Sequence, residues 1–160
     1  MSGIHSIDLK GFVTQTVKGV FHTMLSMQLE PEEPPCLQDP AGEHLVGTVG
    51  LAGGVMGTVG IHVSRDFARE MTASMLGLDL ADISGDDEVN DVVGEVCNMV
   101  GGDLKSRLCD AGMLCSLSIP TITFGHNFKI ESKGWERHEQ FGFRNSHHSA
   151  LIEVFIKAAN

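Results

Sequence analysis

Residues 86–105 read DDEVNDVVGEVCNMVGGDLK, and this stretch predicts the main helix of the fold. Valine and leucine recur at spacings of three and four residues, which is the period of one face of an α-helix. These positions are Val89, Val92, Val93, Val96, Val100, Leu104 and Leu108. Acidic residues at the start and Lys105 and Arg107 near the end suit the helix dipole. The pattern predicts a long helix that begins near Asp86 or Asp87 and turns one side toward a core.

The opposite side of this helix carries a carboxylate and a carboxamide close together. At about 100° per residue, the Glu95 and Asn98 side chains leave the axis about 60° apart and point away from the core. Asp91, Gly102 and Lys105 share this side. A carboxylate can hold a cation and a carboxamide can hold a water, so the pair could position a nucleophile against a partner's reactive bond. From the residues alone, an ordinary solvated helix face remains the alternative.

Three glycines interrupt the helix, and each costs about 0.5 to 1 kcal/mol relative to alanine. Gly94 and Gly101 lie at the border between the two faces, where close packing against a neighbouring element is the favoured explanation. Gly102 lies on the exposed side, about one turn beyond Asn98. Its missing side chain would let a second protein approach the carboxamide, so Gly102 favours a docking surface.

Composition limits the possible functions. The 160 residues are 42% hydrophobic, which predicts one domain spanning 1–160 with a substantial core. A formal net charge of −10 argues against nucleic acid and anionic membrane as partners. No long apolar run and no signal-peptide pattern are found, so we expect a cytoplasmic protein. The four cysteines lack metal-ligand spacing, and no metal site is predicted.

The remainder of the chain predicts further helices and a sheet. Helical spacing marks 8–28 and 64–76, with Ser64 as the N-cap and Gly77 as the stop, and the proline-rich segment 30–42 predicts a loop. Alternating residues predict a hairpin that turns around 52–54, and four more strands at 116–125, 127–132, 138–145 and 150–157. We therefore expect an α+β fold, a largely antiparallel sheet of about six strands with two long helices packed on one face.

The long helix and the strand after it resemble a known family. The helix combines Asp91, Gly94, Glu95, Asn98, Met99 and Gly101-Gly102, and the next strand contains Ser118-Ile119-Pro120-Thr121 and Gly125. This combination resembles the CheX/CheC/FliY chemotaxis phosphatases, whose signature is an acidic residue, two further residues and an asparagine. Glu-x-x-Asn alone is a weak motif. The resemblance also includes the glycine-rich hairpin and the end of the first helix, and so covers nearly the whole chain.

The resemblance implies a reaction and a role for each site residue. These enzymes hydrolyse the aspartyl phosphate of a CheY-like response regulator in two-component signalling. Asn98 would orient the attacking water, and Glu95 would pair with the regulator's active-site lysine. A carboxylate is repelled by a phosphoryl dianion, which agrees with that division. Any Mg²⁺ would belong to the regulator, with no cofactor expected on this chain. The predicted partner-binding residues are Asp91, Gly101, Gly102 and Lys105.

The resemblance also bears on the number of sites and on assembly. CheC-type members carry two motifs on two similar helices, whereas the first helix here reads Gln-Thr-Val-Lys at 15–18 and has no Glu-x-x-Asn. One active site is therefore expected, as in the CheX branch. Members of that branch form homodimers by sheet association, and we expect Phe141, Phe143 and Phe155 on the C-terminal strands to make the contact.

Two other functions remain open at this point. The same helix could dock a response regulator or a flagellar switch component without hydrolysing anything. The chain could also be a purely structural dimeric domain. An intact motif permits activity but does not distinguish these alternatives.

Overall fold

The computed structural model describes residues 3–37, 42–126 and 128–159, which form three α-helices and a seven-stranded antiparallel sheet. This confirms the predicted α+β class, with one strand more than expected. The helices are α1 (Leu9–Leu25), α2 (Arg65–Leu76) and α3 (Asp86–Asp110). The strands are β1 (Glu30–Glu32), β2 (Glu43–Gly53), β3 (Val55–Ser64), β4 (Cys115–Leu117), β5 (Thr121–His126), β6 (Arg137–Arg144) and β7 (Ser149–Ala158).

Local sequence explains where the helices lie. All seven apolar positions of the predicted stripe on α3 are buried, and the helix begins at Asp86 as predicted. The Ser64 hydroxyl accepts a hydrogen bond from the Phe67 amide at the start of α2, and Gly77 ends this helix in the left-handed conformation with φ of 67°. The helices pack on one face of the sheet, where they enclose a single cluster of buried side chains.

The sheet order places α3 at one end of the molecule. The strands follow the order β1-β6-β7-β3-β2-β4, and β5 also pairs with β2. The β2–β3 hairpin keeps a continuous register from His44↔Ser64 to Leu51↔Gly57. Helix α3 packs against β2, β4 and β5. The polar side of α3 therefore lies beside the edge formed by β4 and β5.

Three local predictions were wrong. The strand predicted at 116–125 is divided into β4 and β5, because the regular pairing with β2 ends at Leu117 and resumes at Thr121. Residues 128–132 form no strand, and Asn127 lies outside the described residues. The predicted loop 30–42 contains β1, whose three residues pair with β6, and residues 38–41 lie outside the described residues.

The predicted dimer contact is also wrong for two of its three side chains. Phe143 and Phe155 are only 1% and 3% exposed within the single chain. Phe155 stacks on His138, with ring centroids 4.1 Å apart, and its strand β7 has β6 and β3 on its two sides. Phe141 is half-buried and packs against the core. Edge pairing cannot use these buried rings without opening the fold.

Candidate functional site

The candidate site is the exposed ridge of α3. Asp91, Glu95 and Asn98 are exposed, and Gly102 and Lys105 are half-buried on the same side of the helix. Within the described part of the chain, neither Glu95 nor Asn98 has a hydrogen-bond or ion-pair partner among the side-chain contacts. A carboxylate and a carboxamide are thus presented side by side, with their bonding capacity free for another molecule.

The glycines beside this ridge serve two different purposes. A Cβ atom added at Gly101 would lie 2.5 Å from Cγ2 of Val49 and 3.2 Å from Cδ1 of Leu117, so the sheet requires glycine there. Gly101 is buried, and its place in the predicted partner-binding set is wrong for that reason. A Cβ atom at Gly102 would meet nothing within 4 Å. Gly102 therefore leaves open space beside Asn98, as predicted.

A polar network ties α3 to α1 on one side of the ridge. The Thr16 hydroxyl donates to Oδ2 of Asp103 at 2.6 Å, and Nε of Arg107 donates to the same oxygen at 2.9 Å. Arg107 also donates to Oε1 of Gln15 at 2.5 Å. Burial raises the pKa of the Asp103 carboxyl, but the hydrogen bonds from Thr16 and Arg107 outweigh it and hold that pKa below its ordinary value. The network fixes the spacing of the two helices.

The other side of the ridge is apolar and was not recognised from the sequence. Pro120 and Ile122 lie 3.8 and 3.7 Å from a Cβ atom built at Gly94, so the β4–β5 segment packs directly against α3. Ile119 is 86% exposed and Phe124 is 64% exposed. The proline after Ile119 was the available signal, because proline disfavours an uninterrupted central strand.

Two features are lacking from the described residues, a metal-binding cluster and a membrane-spanning helix. No group of three or more histidine, cysteine, aspartate or glutamate side chains is arranged to hold a metal ion within residues 3–37, 42–126 and 128–159. Over the same residues, no helix has the length and apolar character needed to cross a membrane.

Comparison with known proteins identifies the family. The family model described as chemotaxis phosphatase CheX matches residues 45–144, which include the hairpin, α3 and its exposed pair. The chain belongs to the CheX family. Membership confirms the predicted family and places the chain among hydrolases of chemotaxis signalling.

Relatives in the CheX family agree over most of their length. The CheY-P phosphatase CheX of Thermotoga maritima is 27% identical over 128 residues, which cover 79% of each chain. The crystal structure of the chemotaxis protein CheX from Vibrio vulnificus is 26% identical, with a TM-score of 0.81 over 94% of this chain and 97% of the other.

A third relative was solved with a partner. The CheX-CheY-BeF3-Mg²⁺ complex from Borrelia burgdorferi contains a chain that is 24% identical. It covers 94% of this chain and 99% of the other, with a TM-score of 0.71, and it shares the fold.

Proposed function

We propose that this chain hydrolyses the aspartyl phosphate of a CheY-like response regulator, with Asn98 and Glu95 on α3 as the catalytic pair. The observation that carries the proposal is the presentation of these two unpaired side chains on the exposed side of a helix whose other side is buried in the core. The functions named for two relatives support a CheY-like regulator as the substrate. The Thermotoga maritima protein is a CheY-P phosphatase, and the Borrelia burgdorferi protein forms a complex with CheY.

Asn98 orients the attacking water. Its carboxamide has both a donor and an acceptor, so it can hold a water beside the phosphoryl group. Attack of that water on phosphorus breaks the bond to the aspartate oxygen and yields inorganic phosphate and a free carboxylate. An acyl phosphate is already reactive, so positioning supplies much of the acceleration without a covalent intermediate.

Glu95 pairs with the regulator's lysine and does not act as a base. A carboxylate 4 Å from even one unit of negative charge is repelled by about 4 kcal/mol at an effective dielectric constant of about 20. A phosphoryl dianion therefore disfavours Glu95 as a direct neighbour, whereas a lysine ammonium reverses the sign of the interaction. The Mg²⁺ of the reaction belongs to the regulator, in line with the composition of the Borrelia burgdorferi complex.

The surrounding ridge completes the partner surface. Asp91 and Lys105 flank the pair with opposite charges, and Gly102 admits the approaching regulator. The same proposal includes three expectations from the sequence. They are a single domain over 1–160, a homodimer, and a cytoplasmic location, where the regulator works. A docking module that binds the regulator without hydrolysis is the alternative outcome.

Phosphate release from a phosphorylated CheY-like regulator tests the proposal. Asn98→Ala should lower kcat about 100-fold, because misplacing a nucleophile has a cost of that size. Glu95→Ala should raise KM about tenfold, because it removes a charged contact with the partner. Asp110→Ala, at the exposed last residue of α3, is the matched control and should retain the wild-type rate.

Rates and binding together separate the proposal from its alternative. Regulator binding without any phosphate release by the wild-type chain would identify a docking module. If Glu95→Ala leaves binding intact, the lysine pairing is wrong while the role of Asn98 stands.

A further inference from the structure

A cavity of about 320 Å³ lies on the face of the sheet opposite the helices. Glu153 lines it and points away from the core, because its neighbours Ile152 and Val154 belong to the core and successive side chains of a strand alternate. Residues 128–131 also line it. No described lining residue belongs to a helix, so the cavity is separate from the exposed pair on α3. Its volume is typical of small-molecule sites, which span about 300 to 1,000 Å³.

The polar groups around Glu153 have mainly acceptors left to offer. An ionised carboxylate only accepts hydrogen bonds, so His62 and His138 donate to it from Nε2, at 3.1 and 2.7 Å. Nε2 of Gln140 donates to the same carboxylate at 2.9 Å. A neutral imidazole that donates from Nε2 keeps Nδ1 as an acceptor, and a carboxamide keeps its oxygen. Of these three partners, only Gln140 retains a donor hydrogen.

The charge of the cavity is unbalanced. Burial raises the pKa of Glu153, but these hydrogen bonds hold it at about 2, so the carboxylate is ionised at neutral pH. At the rim, Nζ of Lys129 lies 2.9 Å from Oε1 of Glu131, and these two charges cancel. Burial lowers the pKa of His44, so this lining imidazole is neutral. A buried charge is costly unless an opposite charge lies nearby, and a bound cation would supply one.

We propose that this cavity binds a small aliphatic ammonium compound beside Glu153. An ammonium group supplies three hydrogen-bond donors and one positive charge, which match the acceptors and the charge of the site. An anion would be repelled by Glu153, and a neutral molecule would leave its charge unbalanced. The ring of Phe128, which stacks on His44 with centroids 4.0 Å apart, offers an apolar surface for a short carbon chain. Binding at this site does not depend on the proposed function.

Three four-carbon probes that differ in charge test this assignment. n-Butylamine, 1-butanol and butyrate are compared by isothermal titration calorimetry at pH 8, where histidine side chains are ordinarily neutral. About 150 mM NaCl screens attraction to the exposed acidic surface. n-Butylamine should bind the wild-type chain with a Kd of about 1 mM, and the other two probes should bind at least about tenfold more weakly.

Two variants examine the role of Glu153 in this binding. Glu153→Gln keeps the shape of the side chain and removes its charge, so it should weaken n-butylamine binding at least about tenfold. Gln140→Lys places an ammonium group beside Glu153 within the chain, so it should weaken binding by a similar factor. Asp87→Asn, at an exposed position on α3, is the matched control and should keep the wild-type affinity.

Each outcome decides the assignment. Equal affinity of wild type and Glu153→Gln would overturn it, because binding would then come from the surface charge, and equal binding of the three probes would overturn it as well. Failure of n-butylamine to bind the wild-type chain would also overturn it and would indicate an imidazolium as the counter-charge of Glu153. If Glu153→Gln loses its fold by circular dichroism, Gln140→Lys decides, and wild-type affinity in that variant contradicts the site.

Discussion

At the residue scale, charge and spacing assign different roles to Glu95 and Asn98. Both positions follow from helical periodicity, and both side chains are exposed on α3 as that periodicity predicts. For Gly101 the helix pattern favoured close packing, which the structure shows, but a helical wheel cannot name the packing element, and Gly101 was also placed in the partner-binding set. The 2.5 Å approach to Val49 depends on strand β2, which is about 50 residues away in the sequence. Helix periodicity thus located the pair and the closely packed border glycines, but not the strands that pack against them.

Glu153 on β7 is a buried carboxylate, and the alternating pattern of the strand does not reveal its burial. It faces away from the helices and is only 3% exposed. Its Oε1 lies 3.1 Å from Nε2 of His62, and its Oε2 lies 2.7 Å from Nε2 of His138 and accepts a hydrogen bond from Gln140 at 2.9 Å. Burial raises the pKa of Glu153, but the hydrogen bonds from His62, Gln140 and His138 hold it at about 2.

The lowered pKa of Glu153 predicts a dependence of stability on pH. The folded-state value of about 2 lies below the ordinary value of 4.5, so this carboxylate stabilises the fold above pH 4.5. That contribution is lost as the pH falls from 4.5 toward 2 and amounts to about 3 kcal/mol. Urea unfolding at several pH values should show a flatter decline for Glu153→Gln than for wild type. The exposed Asp87→Asn is the control, and equal slopes for Glu153→Gln and wild type would contradict the assignment.

At the element scale, the predictions of α2 that rest on a short stretch of sequence were confirmed. The Ser64 cap and the Gly77 stop define α2 as predicted, because each acts within one turn of its helix. Strand β1 was missed because it has only three residues and is paired with β6, more than 100 residues later in the chain. The alternating pattern at 128–132 had no strand to pair with, and alternation alone does not form a strand.

Neighbouring glycines on α3 give a prediction at this scale. Gly101→Ala should lower the free energy of unfolding by about 1 to 3 kcal/mol, because its methyl group would press on Val49 and Leu117. Gly102→Ala should raise it by about 0.5 to 1 kcal/mol, because the site is open and alanine favours the helix. Chemical denaturation of both variants measures the difference. Changes of the same sign would show that the packing around α3 is described wrongly.

At the scale of the whole molecule, the sheet has one end suited to self-association. Strand β5 pairs with β2 on one side, and within the described residues its other side pairs with no strand. Phe124 on this strand is 64% exposed. An exposed edge strand with an apolar side chain favours pairing with another chain. The homodimer inferred from the resemblance is therefore better placed at β5 than at the buried rings Phe143 and Phe155.

Light scattering after size-exclusion chromatography tests this placement. Phe124→Glu should convert a dimer into a monomer, because a charge on the edge opposes strand pairing. Leu76→Glu, at a 45% exposed position on α2, is the control and should keep the wild-type mass. A wild-type chain that is monomeric at all concentrations would rule out the dimer, and a dimer that persists in Phe124→Glu would rule out the β5 contact.

The central claim is that Asn98 acts on the water and not on the binding of the partner. Single-turnover hydrolysis by Asn98→Ala, at saturating concentrations of a phosphorylated CheY-like regulator, tests it most directly when affinity for the beryllofluoride-loaded regulator is measured in parallel. We predict hydrolysis about 100-fold slower than wild type with affinity changed by less than about threefold. Hydrolysis at the wild-type rate would contradict the account.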